Sequence, residues 1–476
     1  MVATSMTTIA QNFENAHDAV SHMGIGWNLG NTLESCNYDK EGLIERTTDC
    51  SVRAYETAWG QPQATRELMH KMAEAGFKTI RVPVTWYPHM DTEDNIDAAW
   101  MDRVEEVVNY VLDEGMYCVL NVHHDAGDKP SCWLKADMDR FDEINSRFVK
   151  LWQQIATRFN KYGERLIFEG WGEIIDKFGA WIFPKDSLAF EACNRLAQSF
   201  VSTVRHSGGN NASRNLMLCT YSAATGGYYM HDGQVGYSDG ALAEFRFPED
   251  SADDHLIASV HSYIPWNWDQ NHARLTEKHI EEIRQTFEKF DKYILSRNMP
   301  LVIGEYGALF CDGVYAQEGP ITDEDQEEGA KYTRLMVEEG TKRGISLLYF
   351  MGLIDKEDRV RLEWSRPKTV EAIIETYNKA KNEKDTDERR VAVCGTGAAA
   401  VIDTAVAGSH QLCHKPRLPI GMGFADGVGI LAGSGCSSLS PQLLPMRPIA
   451  VVPASLLVVW YFQCGTDIDL QHPSVF

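Results

Sequence analysis

Two glutamates far apart in the chain sit in the same kind of setting. Glu173 closes the stretch Leu166-Ile167-Phe168-Glu169-Gly170-Trp171-Gly172-Glu173, and Glu305 lies in Pro300 to Gly307 behind Leu301, Val302 and Ile303. Both runs have the apolar, β-branched and aromatic content of a strand buried on both faces. A carboxylate at the end of such a strand is costly to bury without a task. Two acids facing one another can divide the work, one holding a proton to donate and the other ionised, because close carboxylates push their pKa values apart. That division is what cleavage of a glycosidic bond requires. The hydroxyls of Tyr263 and Tyr306 could hydrogen-bond the ionised member. A lone strand-end glutamate has a plainer use as a helix cap or salt-bridge partner. Arg81, His123 and His261, each at the end of another apolar run, weigh against that use here.

These residues need a scaffold that brings strand ends together. From Gly24 the chain alternates short apolar runs with longer segments of helical period, the pattern of repeated βα units on a parallel sheet. Strands are expected at 25–31, 79–86, 117–124, 166–173, 215–222, 256–263, 301–307 and 346–352. Helices are expected at 64–76, from Asp97, at 142–162, 188–206, 276–298, 323–343 and 367–381, with Gly76 and Gly115 as stops. Ala223 to His255, rich in Gly, Tyr and Asp, is the weakest unit and reads as a substrate-side loop. Eight units in this length predict an α/β fold, a (β/α)8 TIM barrel rather than a doubly wound sheet. Its site then lies at the C-terminal ends of the strands, where Arg81, His123, Glu173, His261, Tyr263 and Glu305 all fall.

Three segments follow: a lead-in, 1–23; the barrel, 24–383; and an appendage, 384–476. Charged side chains are sparse beyond Val391, no period persists there, and the appendage is expected to lie outside catalysis. The 476 residues carry a net charge of -23, which repels nucleic acid and anionic membranes and favours a neutral or cationic partner. Met1 to Ala10 lacks the basic and apolar regions of a secretory signal, and the apolar run Pro448 to Phe462 is too short to span a bilayer. The 11 cysteines are scattered without a CxxC and read as buried free thiols. His123-His124-Asp125 hints at a metal, but adjacent strand residues point to opposite faces, so no metal is expected there.

Several segments resemble glycoside hydrolase family 5, and within it the bacterial endo-β-1,4-glucanases. They are Gly26 to Leu33, Ala58-Trp59-Gly60, Ile80 to Trp86, Asn121 to His124, Val260 to Tyr263 and Ile303 to Gly307, in the expected order between about Gly24 and Tyr377. The resemblance implies a retaining β-glycanase with Glu305 as nucleophile and Glu173 as acid/base. Arg81 is similar to the arginine that holds the nucleophile, and His123 to a histidine at the cleavage point. His261 and Tyr263 match a His-x-Tyr pair beside the two acids, while Asn31, Trp59 and His124 fall in segments lining the cleft. It implies no cofactor, a β-glucan polysaccharide or oligosaccharide as partner, secretion, and a monomer.

Two positions depart from the family pattern. Gly172 stands where an asparagine normally reaches the sugar 2-hydroxyl, and Phe350 where a tryptophan usually lies under the reacting sugar. Loss of the amide predicts a slower enzyme, since the 2-hydroxyl contact strengthens in the transition state. The expectation is therefore an endo-β-1,4-glucanase of cellulose-type or mixed-linkage glucan. The alternatives are a mannanase, xylanase or xyloglucanase of the same family, or a catalytically weakened β-glycan-binding barrel.

Overall fold

The computed structural model describes residues 13–39, 41, 43–44, 51–265, 274–308 and 321–403, with side chains in the last segment to residue 384 and at 386. In chain order the strands are β1 (Ile25–Asn28), β2 (Thr79–Val82), β3 (Tyr117–Asn121), β4 (Leu166–Glu169), β5 (Leu216–Cys219), β6 (Gly227–His231), β7 (Gln234–Ser238), β8 (Leu256–Ser262), β9 (Leu301–Tyr306) and β10 (Ser346–Phe350). All but β6 and β7 are parallel and close into a barrel in the order β1-β10-β9-β8-β5-β4-β3-β2. This is the expected (β/α)8 barrel.

Several of the helices between the strands begin and end on signals written in the chain. Thr65 caps helix Arg66–Ala75 by accepting from Leu68 N, and Gly76 ends it at φ 107, a left-handed turn that costs a residue with a Cβ. Asp97 caps Ala98–Asp113 in the same way, and Thr276 and Thr322 form capping boxes ahead of Glu277–Tyr293 and Asp323–Arg343. Their apolar faces pack on the outward side chains of the strands to give the main core, which includes Trp27, Ile80, Leu120, Phe168, Leu218, Val260, Ile303 and Tyr349.

Inward-facing Tyr117, Val119, Ile167, Met217, Ile257, Val302 and Leu348 form a second, smaller core inside the barrel. Helix Ala16–Met23 belongs to it: Ala16, Val20 and Met23 pack against those residues and close the N-terminal end of the barrel. Part of the lead-in is therefore the floor of the fold, and Asn15 caps that floor helix by accepting from Asp18 N.

The structure corrects the expectations in three places. The segment 223–255 holds an antiparallel hairpin, β6 with β7, followed by a short helix, Gly240–Ala243. Strand β4 stops at Glu169, so Glu173 lies beyond the strand rather than at its end. The closing helix runs from Pro367 to Asp403, past the expected end at Lys381 and into the appendage. The barrel unit extends to Glu388; of the second unit, 389–464, the described part is that helix. Cys36, Cys118, Cys132, Cys193 and Cys219 are free and buried, as expected of those described. Met1 to Ala10 and Pro448 to Phe462 lie outside the described residues.

Candidate active site

Above the inner core the barrel changes from apolar to charged. Arg81 on β2 is fully buried and stands beside Asn28 on β1. It donates from Nε to Glu169 Oε2 at 2.7 Å and from Nη1 to Asn28 Oδ1 at 2.9 Å and Glu305 Oε1 at 2.6 Å. Burial opposes the guanidinium's charge, but the two carboxylates outweigh it and raise its pKa. Asn28 is itself fixed, because its Nδ2 donates to the carbonyls of Gly304 and Leu348.

Glu305 reaches this layer through an irregularity in its strand. Along β9, Val302 faces the inner core while Leu301 and Ile303 face outward, so strict alternation would turn residue 305 outward as well. The pairing instead steps from Val260↔Ile303 to His261↔Glu305 on one side and from Leu347↔Ile303 to Tyr349↔Tyr306 on the other. Gly304 is the extra residue of a bulge, and past it Glu305 points in while Tyr306 points out. The bulge demands glycine in space: a Cβ there would lie 2.9 Å from Ser259 Oγ and 3.4 Å from His261 Nε2. Tyr306 therefore cannot serve Glu305 as expected; it packs edge-on against Tyr349 in the outer core. Tyr263 does serve it, donating to Oε2 at 2.7 Å.

The pKa values of the two acids are pushed in opposite directions. Burial alone would raise the Glu305 carboxyl, but His261, Arg81 and the Tyr263 hydroxyl together hold it below the usual carboxylate range. For Glu173, burial and the negative charge of Glu305 prevail over His261 and raise its pKa. His261 sits between them, Nδ1 2.9 Å from Glu173 Oε1 and 3.6 Å from Glu305 Oε2. Burial pulls the imidazole down, yet the two carboxylates outweigh it and its pKa is raised. One oxygen of Glu173, one of Glu305 and a ring nitrogen of His261 all lie within 4.8 Å of one another.

His123 lines the same space with Nε2 3.9 Å from Glu305 Oε1. Burial, with the nearby positive charges, keeps it well below the usual histidine range, so it is neutral. Its tautomer follows from its neighbour. Asn121 Oδ1 accepts from Val84 N, which leaves Nδ2 to donate to Glu169 and to His123 Nδ1, and places the ring hydrogen on Nε2, toward the acids. Gly172 is part of this fit, since a Cβ on it would lie 2.8 Å from His123 Nδ1.

The remaining expected residues surround this centre with less definition. Phe350 ends β10 and meets Tyr263 edge-on at 6.4 Å between ring centroids. His124 lies against His123 at 4.4 Å and Trp59 at 5.3 Å, and Trp59 donates its indole N–H to Cys36 O. The two histidines are thus neighbours rather than on opposite faces, because β3 has ended at Asn121 before them. Asn31 is half-buried at φ 55, with its backbone N–H donated to Glu34. Sequence reasoning missed Glu169, Asn28 and Asn121. Their signal was present: polar residues at inward positions of strands otherwise apolar.

An acid with a raised pKa, a second acid with a lowered one and a neutral imidazole donor in one cluster suit acid-assisted displacement at a carbon bearing an oxygen leaving group. Comparison with known proteins points the same way. The family pattern described as Cellulase (glycosyl hydrolase family 5) matches residues 43–351. The chain is similar to Endoglucanase B of Ruminococcus albus, 35% identical over 317 residues, 66% of this chain and 70% of that protein. It is 31% identical over 395 residues to Endoglucanase B of Neocallimastix patriciarum, 79% and 74% of the two chains. Among solved structures, a glycoside hydrolase family 5 enzyme of Prevotella bryantii superposes with a TM-score of 0.69 at 36% identity, covering 78% of this chain and 99% of that one; the same enzyme has been solved as a mutant with a xyloglucan tetradecasaccharide.

Proposed function

The chain belongs to glycosyl hydrolase family 5, and from that premise we propose that it is a retaining endo-β-1,4-glucanase acting on β-glucan. In this mechanism Glu173 protonates the departing glycosidic oxygen while Glu305 attacks the anomeric carbon. A water molecule deprotonated by Glu173 then releases the sugar from Glu305. Arg81 and Tyr263 hold the nucleophile, His261 links the two acids, and His123 presents its Nε2–H to the sugar. Phe350, Trp59, His124 and Asn31 line the cleft.

The observation that carries this reading is the spacing of the acids. Oxygens of Glu173 and Glu305 within 4.8 Å fit a direct attack, for which carboxyl groups lie about 5–5.5 Å apart, and leave too little room for the intervening water of an inverting enzyme. The opposite pKa directions of the pair fit the same division of labour.

The polymer is a linear cellulose-type or mixed-linkage glucan in this reading. Xyloglucan is a second substrate, favoured by the xyloglucan complex of the similar Prevotella enzyme. The protein works as a secreted monomer, with catalysis confined to 24–383 and the appendage taking no part. No helix among the described residues is long and apolar enough to cross a membrane.

The test is release of reducing ends from carboxymethylcellulose and barley β-glucan, with the anomer of the first product read by NMR. The expected result is a β-anomer from the native protein and a fall of roughly 10³-fold or more in Glu305→Gln. Equal rates for the two proteins, or an α-anomer as first product, would overturn the proposal.

A further inference from the structure

Glu169 is the one acid of the polar layer that has no part in the mechanism above, and it is as deeply buried as Arg81. It ends β4, beside Asn121 on β3 and Met217 on β5. Its Oε2 accepts from Arg81 Nε at 2.7 Å and Asn121 Nδ2 at 3.0 Å, and its Oε1 from Ser259 Oγ at 3.2 Å and Cys219 Sγ at 3.3 Å. Four donors from four strands leave this carboxylate no freedom. Arg81 is the only arginine in contact with it or with Glu305 among the described residues, so one guanidinium serves two anions.

We propose that Glu169 is a positioning residue for hydrolysis: it fixes the Arg81 guanidinium beneath Glu305 and takes a share of its charge, so that the nucleophile is aligned without being over-stabilised. This rests on Glu305 being the nucleophile. A carboxylate given a full arginine to itself is a poorer nucleophile, because its electron pair is held by the cation it must leave on attacking carbon. Glu169 divides that hold. Through Asn121 it also sets the His123 tautomer, so one buried acid orients two groups that face the sugar.

The groups facing Glu305 are Arg81, His123, Glu173, His261 and Tyr263; those facing Glu169 are Arg81, Asn121, Cys219, Ser259 and His261. Removing the charge of Glu169 makes the field at Glu305 and Glu173 more positive. Both carboxyls then ionise at lower pH, and the whole pH profile of kcat/KM moves down.

The variant is Glu169→Gln, which keeps the acceptor toward Arg81 and Asn121 while its amide donates toward Ser259 and Cys219. With an aryl β-cellobioside as probe, the expected outcome is an acid limb lower by about half a pH unit or more and a kcat about tenfold lower. Ser259→Ala supplies the second arm. Taking a donor from Glu169 throws more of its charge onto Arg81, so the acid limb moves the other way, to higher pH, even if Glu169→Gln fails to fold. A profile fixed in both variants, with activity following thermal stability alone, overturns the proposal. Failure of the underlying function would look different: the native protein itself would not cleave the cellobioside.

Discussion

His261 and Glu305 stand opposite one another on β8 and β9, and they do so because β9 carries one residue more than either neighbour requires. Without Gly304 as that extra residue, the alternation of the strand would bury Glu305 among the helices and turn Tyr306 toward the substrate. The bulge thus decides which of two adjacent side chains enters the site.

Gly304→Ala should disturb both partners of this arrangement. The added methyl meets Ser259 Oγ and His261 Nε2, neither of them the end of a long flexible chain. The expected outcome is a loss of about 1–3 kcal/mol of stability by denaturant titration, with kcat falling further than the folded fraction accounts for.

Gly172 is a poor site for simple repair. A Cβ there would collide with His123 Nδ1, the atom that accepts from Asn121. Gly172→Ala is expected to lower kcat/KM about tenfold by pushing the imidazole off its donor. Gly172→Asn incurs the same collision before its amide can help, so it should not exceed the native rate. Steady-state kinetics on an aryl cellobioside checks both, and a rate above native for the asparagine variant would show that His123 yields easily.

The pH profile of kcat/KM should be a bell broader than two ordinary carboxyls produce. Activity needs Glu305 ionised and Glu173 protonated. It is lost as pH falls through the lowered value of Glu305, below the ordinary 4.5, and as pH rises through the raised value of Glu173, above 4.5. The limbs belong to the coupled pair, with His261 between them. Glu173→Gln should remove the alkaline limb for a substrate with an activated leaving group and leave the acid limb in place.

Stability should follow a different residue. His89 is buried, stacked on Trp100 at 3.5 Å between ring centroids and edge-on to Tyr55 at 4.5 Å. Burial lowers its pKa from 6.5 to about 3. The unfolded chain takes up this proton below 6.5 while the folded chain resists it until about 3, so stability falls as pH drops through that window, by up to about 1.4 kcal/mol per unit. His89→Gln should flatten this part of the curve in thermal melts between pH 6 and 4.

The barrel was legible because its evidence is repetitive. The helices carry apolar stripes, several of them behind a cap residue, and each strand is an apolar run, so eight weak signals support one another. The two acids were legible because ionised groups stand out against buried strands. Glu169 was hidden beside a louder neighbour: the strand was carried on to Glu173, which made the true last residue look internal. The bulge at Gly304 left no mark beyond a glycine before a glutamate, and glycine has many uses. Hairpin β6–β7 was missed because Tyr228 and Tyr237, paired across its outer face, and the exposed Val235 bury too little to create an alternating pattern. Its other face rests on Phe183 through Tyr229. The floor helix was overlooked because three small and medium apolar residues, Ala16, Val20 and Met23, suffice to stopper a narrow opening.

The closure of the barrel also has a history within each molecule's synthesis. β1 is paired on one side with β2, which is made soon after it, but on the other with β10, where Ile25 waits for Leu347. Until nearly the whole barrel has left the ribosome, β1 presents an open row of backbone donors and acceptors beside apolar Ile25 and Trp27, a template for wrong pairing. Truncation anywhere before β10 therefore removes more than the last strand: it leaves the first one unpartnered, and such chains are candidates for aggregation rather than for a smaller working fold.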